Sequence, residues 1–316
     1  MAKLAAIAGF MLALGVASTC HAATEPVALA DAEVIKTQVD RDERMTVPVR
    51  IGPVRIGPAG IGPAGIGAKN TFSFVIDTGS QTTVVARSIA ERLALPPSRR
   101  AHIVGIGGSE TADTAIVDEI GLGRRSFYGV EVVLFEGHDI GADGIVGIDS
   151  LQRQRVLLDF DKRQFTIGDV RSQGGNQGFD IVVIARRRLG QLIMTDAVID
   201  GVRADVIIDT GANTSVGNRA LQRALGRRTV EEQVTLISVT GQTVTADLGY
   251  PRKLTVGEFD ITNLQVAYLD SPVFDVLNLT RRPALLLGMR ELRLFKRVAI
   301  DFAAKRIYFD LPNVGR

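Results

Sequence analysis

Two carboxylates stand in the same unusual setting. Asp77 ends the apolar run of FVIDTGSQT, Phe74 to Thr82, and Asp209 ends that of IIDTGANTS, Ile207 to Ser215. Phe, Val and Ile favour a buried strand, whereas an ionised Asp needs water or a partner. Each Asp is followed by Thr and Gly, and Gly79 and Gly211 permit a sharp turn that keeps backbone N–H groups near the carboxylate. If the fold brings the two loops together, negative charges about 4 Å apart at an effective dielectric near ~20 repel by roughly 4 kcal/mol. That is about three pKa units, so the pair should hold one proton over a wide pH range. The ionised member can then take a proton from a shared water while the other donates to a carbonyl, and the titration belongs to the pair. The fourth residue differs between the loops. Ser80 offers a hydroxyl to its Asp and Ala212 offers none, which predicts that Asp77 is the member more often charged.

A single Asp-Thr-Gly is a common turn composition. Here it recurs because the chain repeats itself. GIGG, Gly105 to Gly108, is echoed by Val239-Thr240-Gly241-Gln242. GIVGIDSL, Gly144 to Leu151, is echoed by ALLLGMREL, Ala284 to Leu292, and VLLDFDKRQFTI, Val156 to Ile167, by VAIDFAAKRIYF, Val298 to Phe309. Asp77 precedes Gly107 by 30 residues and Gly147 by 70, while Asp209 precedes Gly241 by 32 and Gly288 by 79. Four landmarks in one order at similar spacing imply two copies of a domain of roughly 120 residues, arranged as a pseudo-twofold pair.

The elements that must position the two loops read as β. Short runs of Val, Ile, Thr and Phe alternate with turn signals such as Asp200-Gly201, and helical pattern is brief, near 87–93 and 218–225 and after each apolar-apolar-Gly. The expected organisation is a leader at 1–22, a linker at 23–43, a first lobe at 44–170, an interlobe linker at 171–177 and a second lobe at 178–316. Within the first lobe, 51–70 is a pentapeptide repeat, IGPVR, IGPAG, IGPAG, IGAKN. Its period excludes collagen, which needs Gly at every third position. It also contains a GxGxxG at Gly60 to Gly65, but Pro63 supplies no N–H for a phosphate and no helix follows. The matching place in the second copy is the tight turn at Asp200-Gly201, so the repeat reads as an expanded hairpin tip, or else as a partner-binding arm.

The apolar-apolar-Asp-Thr-Gly-Ser/Ala signature, the glycine-rich hairpin and the later apolar-apolar-Gly resemble the retropepsin-like aspartic proteases. The doubled arrangement on one chain is similar to pepsins, although each copy has retropepsin length. The resemblance covers about Thr46 to Gly168 and Thr195 to Asp310. It implies an all-β, bilobal acid-protease fold of two homologous β-barrel lobes with short helices. It also implies Asp77 and Asp209 as the catalytic pair of an aspartic-type endopeptidase. Thr78 and Thr210 would hydrogen-bond across the interface and lock the loops, with Gly79, Ser80, Gly211 and Ala212 supporting the pair. Flexible hairpin tips would close over an extended peptide, Ile106, Gly107 and Gly108 on one side and Thr240 and Gly241 on the other. The second tip has one Gly and is expected to close less, and neither stretch carries the flap Tyr of pepsins. Ile145 to Gly147 and Leu286 to Gly288 would pack behind the catalytic loops, and Asp159 and Asp301 occupy equivalent structural strand positions.

The rest of the chain narrows the classes. LAAIAGFMLALGVAS after Lys3, then Cys20-His21-Ala22, has the layout of a secretory leader cleaved after Ala22, which predicts a periplasmic or secreted protein without a stable membrane span. A lipoprotein reading would acylate Cys20, but the residues before it suit that signal poorly. Cys20 is the sole cysteine, so the mature chain would have no disulfide and no thiol nucleophile. Glycosylation patterns occur at Asn213-Thr214-Ser215 and Asn278-Leu279-Thr280, and a glycan beside Asp209 would obstruct the site, which favours a bacterial periplasm. The net charge of +2, with basic residues scattered, gives no footprint for nucleic acid. Beyond the leader only His102 and His138 remain among the histidines, so no metal is expected, nor any other cofactor. The expectation is a monomeric peptidase acting on peptide or protein. The alternatives are a low-turnover or non-catalytic peptide-binding envelope scaffold with the same fold, and an enzyme restricted to self-processing or one dedicated substrate.

Overall fold

The computed structural model describes residues 33–52, 70–152, 154–168, 179–226 and 232–312 in full, with the backbone of short strands at 6–8, 11–14, 54–57 and 60–63. The expected leader cleavage point, the interlobe linker and much of the repeat loop lie outside the described residues. The fold is all-β and bilobal, with five short helices among the described residues.

Each Asp-Thr-Gly leaves the end of a central strand. In the first half, Thr71–Ile76 lies between the antiparallel strand Met45–Gly52 and the parallel strand Gly144–Val146. In the second, Val202–Ile208 lies between the antiparallel Gln191–Ile199 and the parallel Ala284–Leu287. A strand covered on both faces reads as a continuous apolar run, not as an alternating one. Phe74, Val75 and Ile76 are accordingly all buried, as are Val206, Ile207 and Ile208. The registers match: Thr46 faces Val75 two residues before Asp77, and Ile193 faces Ile207 two residues before Asp209.

The hairpins that carry these strands differ at the tip. In the second half Asp200 (φ 44°) and Gly201 (φ 87°) make a two-residue turn with both residues left-handed, the form that suits strand twist. In the first half the same connection spans the repeat. Part of it forms a small hairpin, Val54–Gly57 against Gly60–Pro63.

A shared sheet joins the halves. Its strands run in the order Glu33–Lys36, Gln164–Gly168, Arg155–Asp159, Arg297–Asp301, Arg306–Asp310, Ile181–Arg188. At its centre Arg155 faces Asp301, Leu157 faces Ala299 and Asp159 faces Arg297. The duplicated strands therefore meet reciprocally, with the Leu157–Ala299 pair on the pseudo-twofold axis. Asp159 and Asp301 each accept a backbone N–H in the turn that follows, from Lys162 at 2.9 Å and from Ala304 at 2.6 Å. Arg155 is buried beside the Tyr308 ring, its guanidinium carbon 4.2 Å from the centroid.

Two long hairpins reach over the other end, Pro97–Gly105 with Gly108–Leu122 and Glu232–Ser238 with Thr243–Gly249. Two strands of the expected leader lie along their edges. Met11–Leu14 pairs antiparallel with 102–105, and Ala6–Ala8 pairs parallel with 236–238. This segment of the full chain adds a strand to each hairpin, since a free edge offers unpaired N–H and C=O groups. No described helix is long and apolar enough to cross a membrane.

Candidate active site

The two Asp-Thr-Gly loops meet across the interface between the halves, and both carboxylates are fully buried. Each loop is tied down by the same backbone bonds. Asp77 N–H donates to Val146 O at 3.1 Å, and Asp209 N–H to Leu287 O at 3.0 Å. Ile148 N–H donates to Ser80 O and Met289 N–H to Ala212 O, each at 2.8 Å. The apolar-apolar-Gly strands thus pack behind the loops. A hydroxyl sits there in each half. Thr83 Oγ1 donates to Asp149 at 2.8 Å and accepts from Gly147 N–H at 3.3 Å, while Ser215 Oγ donates to Glu291 and accepts from Gly288 N–H at 2.9 Å. Burial raises the Glu291 carboxyl above its usual range.

The threonines cross between the loops. Thr78 Oγ1 donates to Ile208 O at 2.9 Å, and Thr210 Oγ1 donates to Ile76 O at 2.7 Å. Each hydroxyl also accepts the other's backbone N–H, at 3.0 Å from Thr78 and 3.3 Å from Thr210. All four residues are buried, so these bonds are shielded from water.

Each glycine lies against the opposite carboxylate. A Cβ on Gly79 would fall 2.7 Å from Asp209 Oδ1, and one on Gly211 only 2.2 Å from the Asp77 carboxyl carbon. The inner oxygens are held by their own loops: Asp77 Oδ1 accepts from Gly79 N–H at 2.7 Å and Ser80 N–H at 3.0 Å, and Asp209 Oδ1 from Gly211 N–H at 3.1 Å. The outer oxygens, Oδ2 of both, are buried and have no hydrogen bond of ordinary geometry.

Burial pushes Asp209 up to about 7, against the opposing pull of the Gly211 and Ala212 N–H groups and of Arg44. Burial, and then the charge of Asp209, hold Asp77 well above the usual carboxylate range. Both carboxyls are raised together, so the shared proton belongs to the pair. The Ser80 hydroxyl does not serve its Asp. It donates to Thr82 O at 2.8 Å, a local backbone acceptor two residues on.

The hairpin tips close over this pair and onto each other. Ile106 is fully buried and, with Val104, belongs to the apolar cluster of Ile193, Ile207, Ala212 and Leu236 from the other half. A Cβ on Gly107 would approach that of Gln242 to 3.2 Å, and Gly108 lies against the Gln242 amide. Thr240 bonds to Ser238 Oγ, and Gly241 (φ 76°) turns against the Asp139 carboxylate. Both tips are thus packed against the opposite half. A cavity of about 310 Å³ lined by Asn218, Ser271, Pro272 and Thr280 lies outside this site.

Four residues near the site, Arg44, Gln191, Gln242 and Asp139, do not stand out in the sequence. Arg44 and Gln191 become equivalent only through the strand register, Thr46 opposite Val75 and Ile193 opposite Ile207. Gln242 and Asp139 matter only through how the closed tips meet, which no local pattern encodes.

Among the described residues no cluster of His, Cys, Asp and Glu could hold a metal ion. A family model described as aspartyl protease matches residues 62–150 and again 195–290, together more than half of the chain. No curated protein matches it.

Proposed function

The chain belongs to the aspartyl protease family, and on that premise we propose that it is an endopeptidase whose water is activated by Asp77 and Asp209. The observation that carries this reading is the mirrored placement of two buried carboxyls on locked loops, with both Oδ2 atoms unengaged by the chain. Aspartic proteases work through such a pair, since two carboxyls held this close cannot both ionise. The ionised member of the pair takes a proton from the water as its oxygen attacks the scissile carbonyl carbon, and the protonated member gives its proton to the carbonyl oxygen. The resulting gem-diol collapses when the first returns its proton to the leaving nitrogen and the second recovers one from a hydroxyl. Atoms and charge balance with water as the only co-reactant.

The hairpin edges suit an extended peptide, since both accept an added strand through main-chain bonds in this structure. Entry requires the tips to part, because the carboxylates have no exposure while they are closed. The leader layout and the lone Cys20 support action in a periplasmic or secreted setting by a single chain.

The test is cleavage of a diverse peptide mixture by the purified chain across about pH 3 to 8, with the cut sites mapped. Asp77→Asn and Asp209→Asn should each lower kcat/KM by about 1,000-fold or more. Retained cleavage by either variant rejects the reading. The packed tips favour a second reading, a peptide-binding scaffold of low turnover. In the same experiment it would appear as peptide bound but not cut.

A further inference from the structure

Two buried side chains that the mechanism does not use reach the loops from equivalent strand positions. Arg44 lies two residues before Thr46, and Gln191 two before Ile193, the residues that face Val75 and Ile207 in matching register. Each crosses to the other half. Gln191 Nε2 donates to Gly79 O at 2.7 Å, and Arg44 Nη1 points at Gly211 O at 3.5 Å. Arg44 has no exposure and Gln191 is 1% exposed, so neither charge nor dipole is screened by solvent. The bonded carbonyls belong to the glycines whose N–H groups hold Asp77 and Asp209 respectively. The two halves thus make the same contact, once with a cation and once with a neutral amide.

We propose that Arg44 is a positioning residue that favours the ionised form of the Asp77–Asp209 pair, its guanidinium on the Asp209 loop while the neutral Gln191 makes the matching contact on the Asp77 loop. This rests on the reading of that pair as the catalytic centre. The guanidinium is held rigidly. Its Nε donates to Asp40 at 2.8 Å, and its Nη2 donates to Ile140 O at 2.6 Å and lies 3.7 Å from Asp42. A fork with fixed donors keeps its direction better than an ammonium would. The other charges facing it are accounted for. Asp42 is shared with Arg41, Glu43 pairs with Arg293 at 3.3 Å, and Asp40 also acts on Arg293. From the loops, Asp77 and Asp209 both feel Arg44 as a stabilising charge. Asp40 and Asp42 engage the guanidinium through Nε and Nη2, which leaves Nη1 for the Gly211 carbonyl.

The pH profile of kcat/KM separates this role from a structural one. For the full chain acting on one peptide found by the cleavage mapping, Arg44→Gln should move both limbs of the profile upward by about half a pH unit or more, because a charge that favours the ionised form is gone. Arg44→Lys should restore the limbs toward their original positions while recovering only part of kcat. Gln191→Lys, which adds a cation at the equivalent place, should move both limbs downward. It decides the matter alone if Arg44→Gln does not fold. Lower activity in Arg44→Gln with the limbs unmoved overturns the proposal, as do unmoved limbs in folded Gln191→Lys. Failure of the catalytic reading looks different: no cleavage by the unaltered chain, or cleavage that survives Asp77→Asn.

Discussion

Gly211 is in contact with the carboxyl group of Asp77 across the interface between the halves: a methyl group on that glycine would lie 2.2 Å from the carboxyl carbon. The glycine of each loop leaves the space that the other loop's acid fills. Gly211→Ala should therefore displace Asp77 without adding or removing any charge. An error of ~1 Å at a reacting group costs on the order of 100-fold in rate. We expect at least that loss in kcat/KM for Gly211→Ala, and a comparable loss for Gly79→Ala. The measurement is steady-state kinetics alongside a fold check by far-UV circular dichroism. An active, folded Gly211→Ala protein would mean that the closed pair is not the working geometry.

The crossed threonines should couple energetically. Thr78→Val strips the bond to Ile208 O and the acceptor for Thr210 N–H, and Thr210→Val does the converse. Leaving buried partners unsatisfied should lower unfolding free energy by about 1–3 kcal/mol for each variant. Since both act on one network, the double variant should cost less than the sum, with a coupling of about 1 kcal/mol or more. Urea titrations of the four proteins measure it. Simple additivity would show that the two hydroxyls act independently.

Stability should fall as pH rises through the acid-to-neutral range. An unfolded Asp titrates near 3.8 and folded Asp209 near 7, so between these values the folded state binds more protons than the unfolded one. The contribution is fully favourable below 3.8, declines through the window and is lost above about 7. Asp77, also raised, acts in the same sense. Asp209→Asn removes that residue's share of the slope and retains an acceptor for the Gly211 N–H. At about pH 8 its Tm should exceed that of the parent by about 4 °C or more, with the gap shrinking toward pH 4. A variant that melts lower than the parent at every pH contradicts this.

Closure of the first hairpin should depend on Ile106, which is buried in the core of the opposite half. Truncating a buried Ile to Ala costs about 2–5 kcal/mol where the contact is made. That cost falls on the closed, substrate-free state, so Ile106→Ala should ease entry, lower KM by about tenfold and expose the tip to limited proteolysis. The shared sheet is remote from the change, so global unfolding in urea should shift little. An unchanged KM together with a protected tip would show that closure does not use this contact.

Much of this was legible in the sequence, for a physical reason. A central strand covered on both faces must be apolar throughout, so Phe74 to Ile76 and Val206 to Ile208 announce themselves, and the acids that end them stand out. Duplication gave an internal control, since each landmark could be checked against its copy. The direction of a hydroxyl was not legible. Ser80 adjoins Asp77 in the chain, yet its Oγ finds the Thr82 carbonyl, and that choice depends on loop curvature. Packing between the hairpin tips was hidden for the same kind of reason. Gln242 meets Gly107 and Gly108 at a separation of more than a hundred residues, with no periodicity to betray it. No motif marks Arg44, and only the strand register reveals its counterpart as Gln191.

The central sheet carries a consequence for the ancestry of the chain. Arg155 opposite Asp301 and Asp159 opposite Arg297 are one contact made twice, with Leu157 and Ala299 at its midpoint. A strand that meets its own copy in this register is self-complementary, which is the geometry by which two separate but identical chains would associate. Joining them in a single gene frees each half from serving both sides of the cleft. A substitution that would strike a homodimer twice now strikes once, so the halves can diverge one residue at a time.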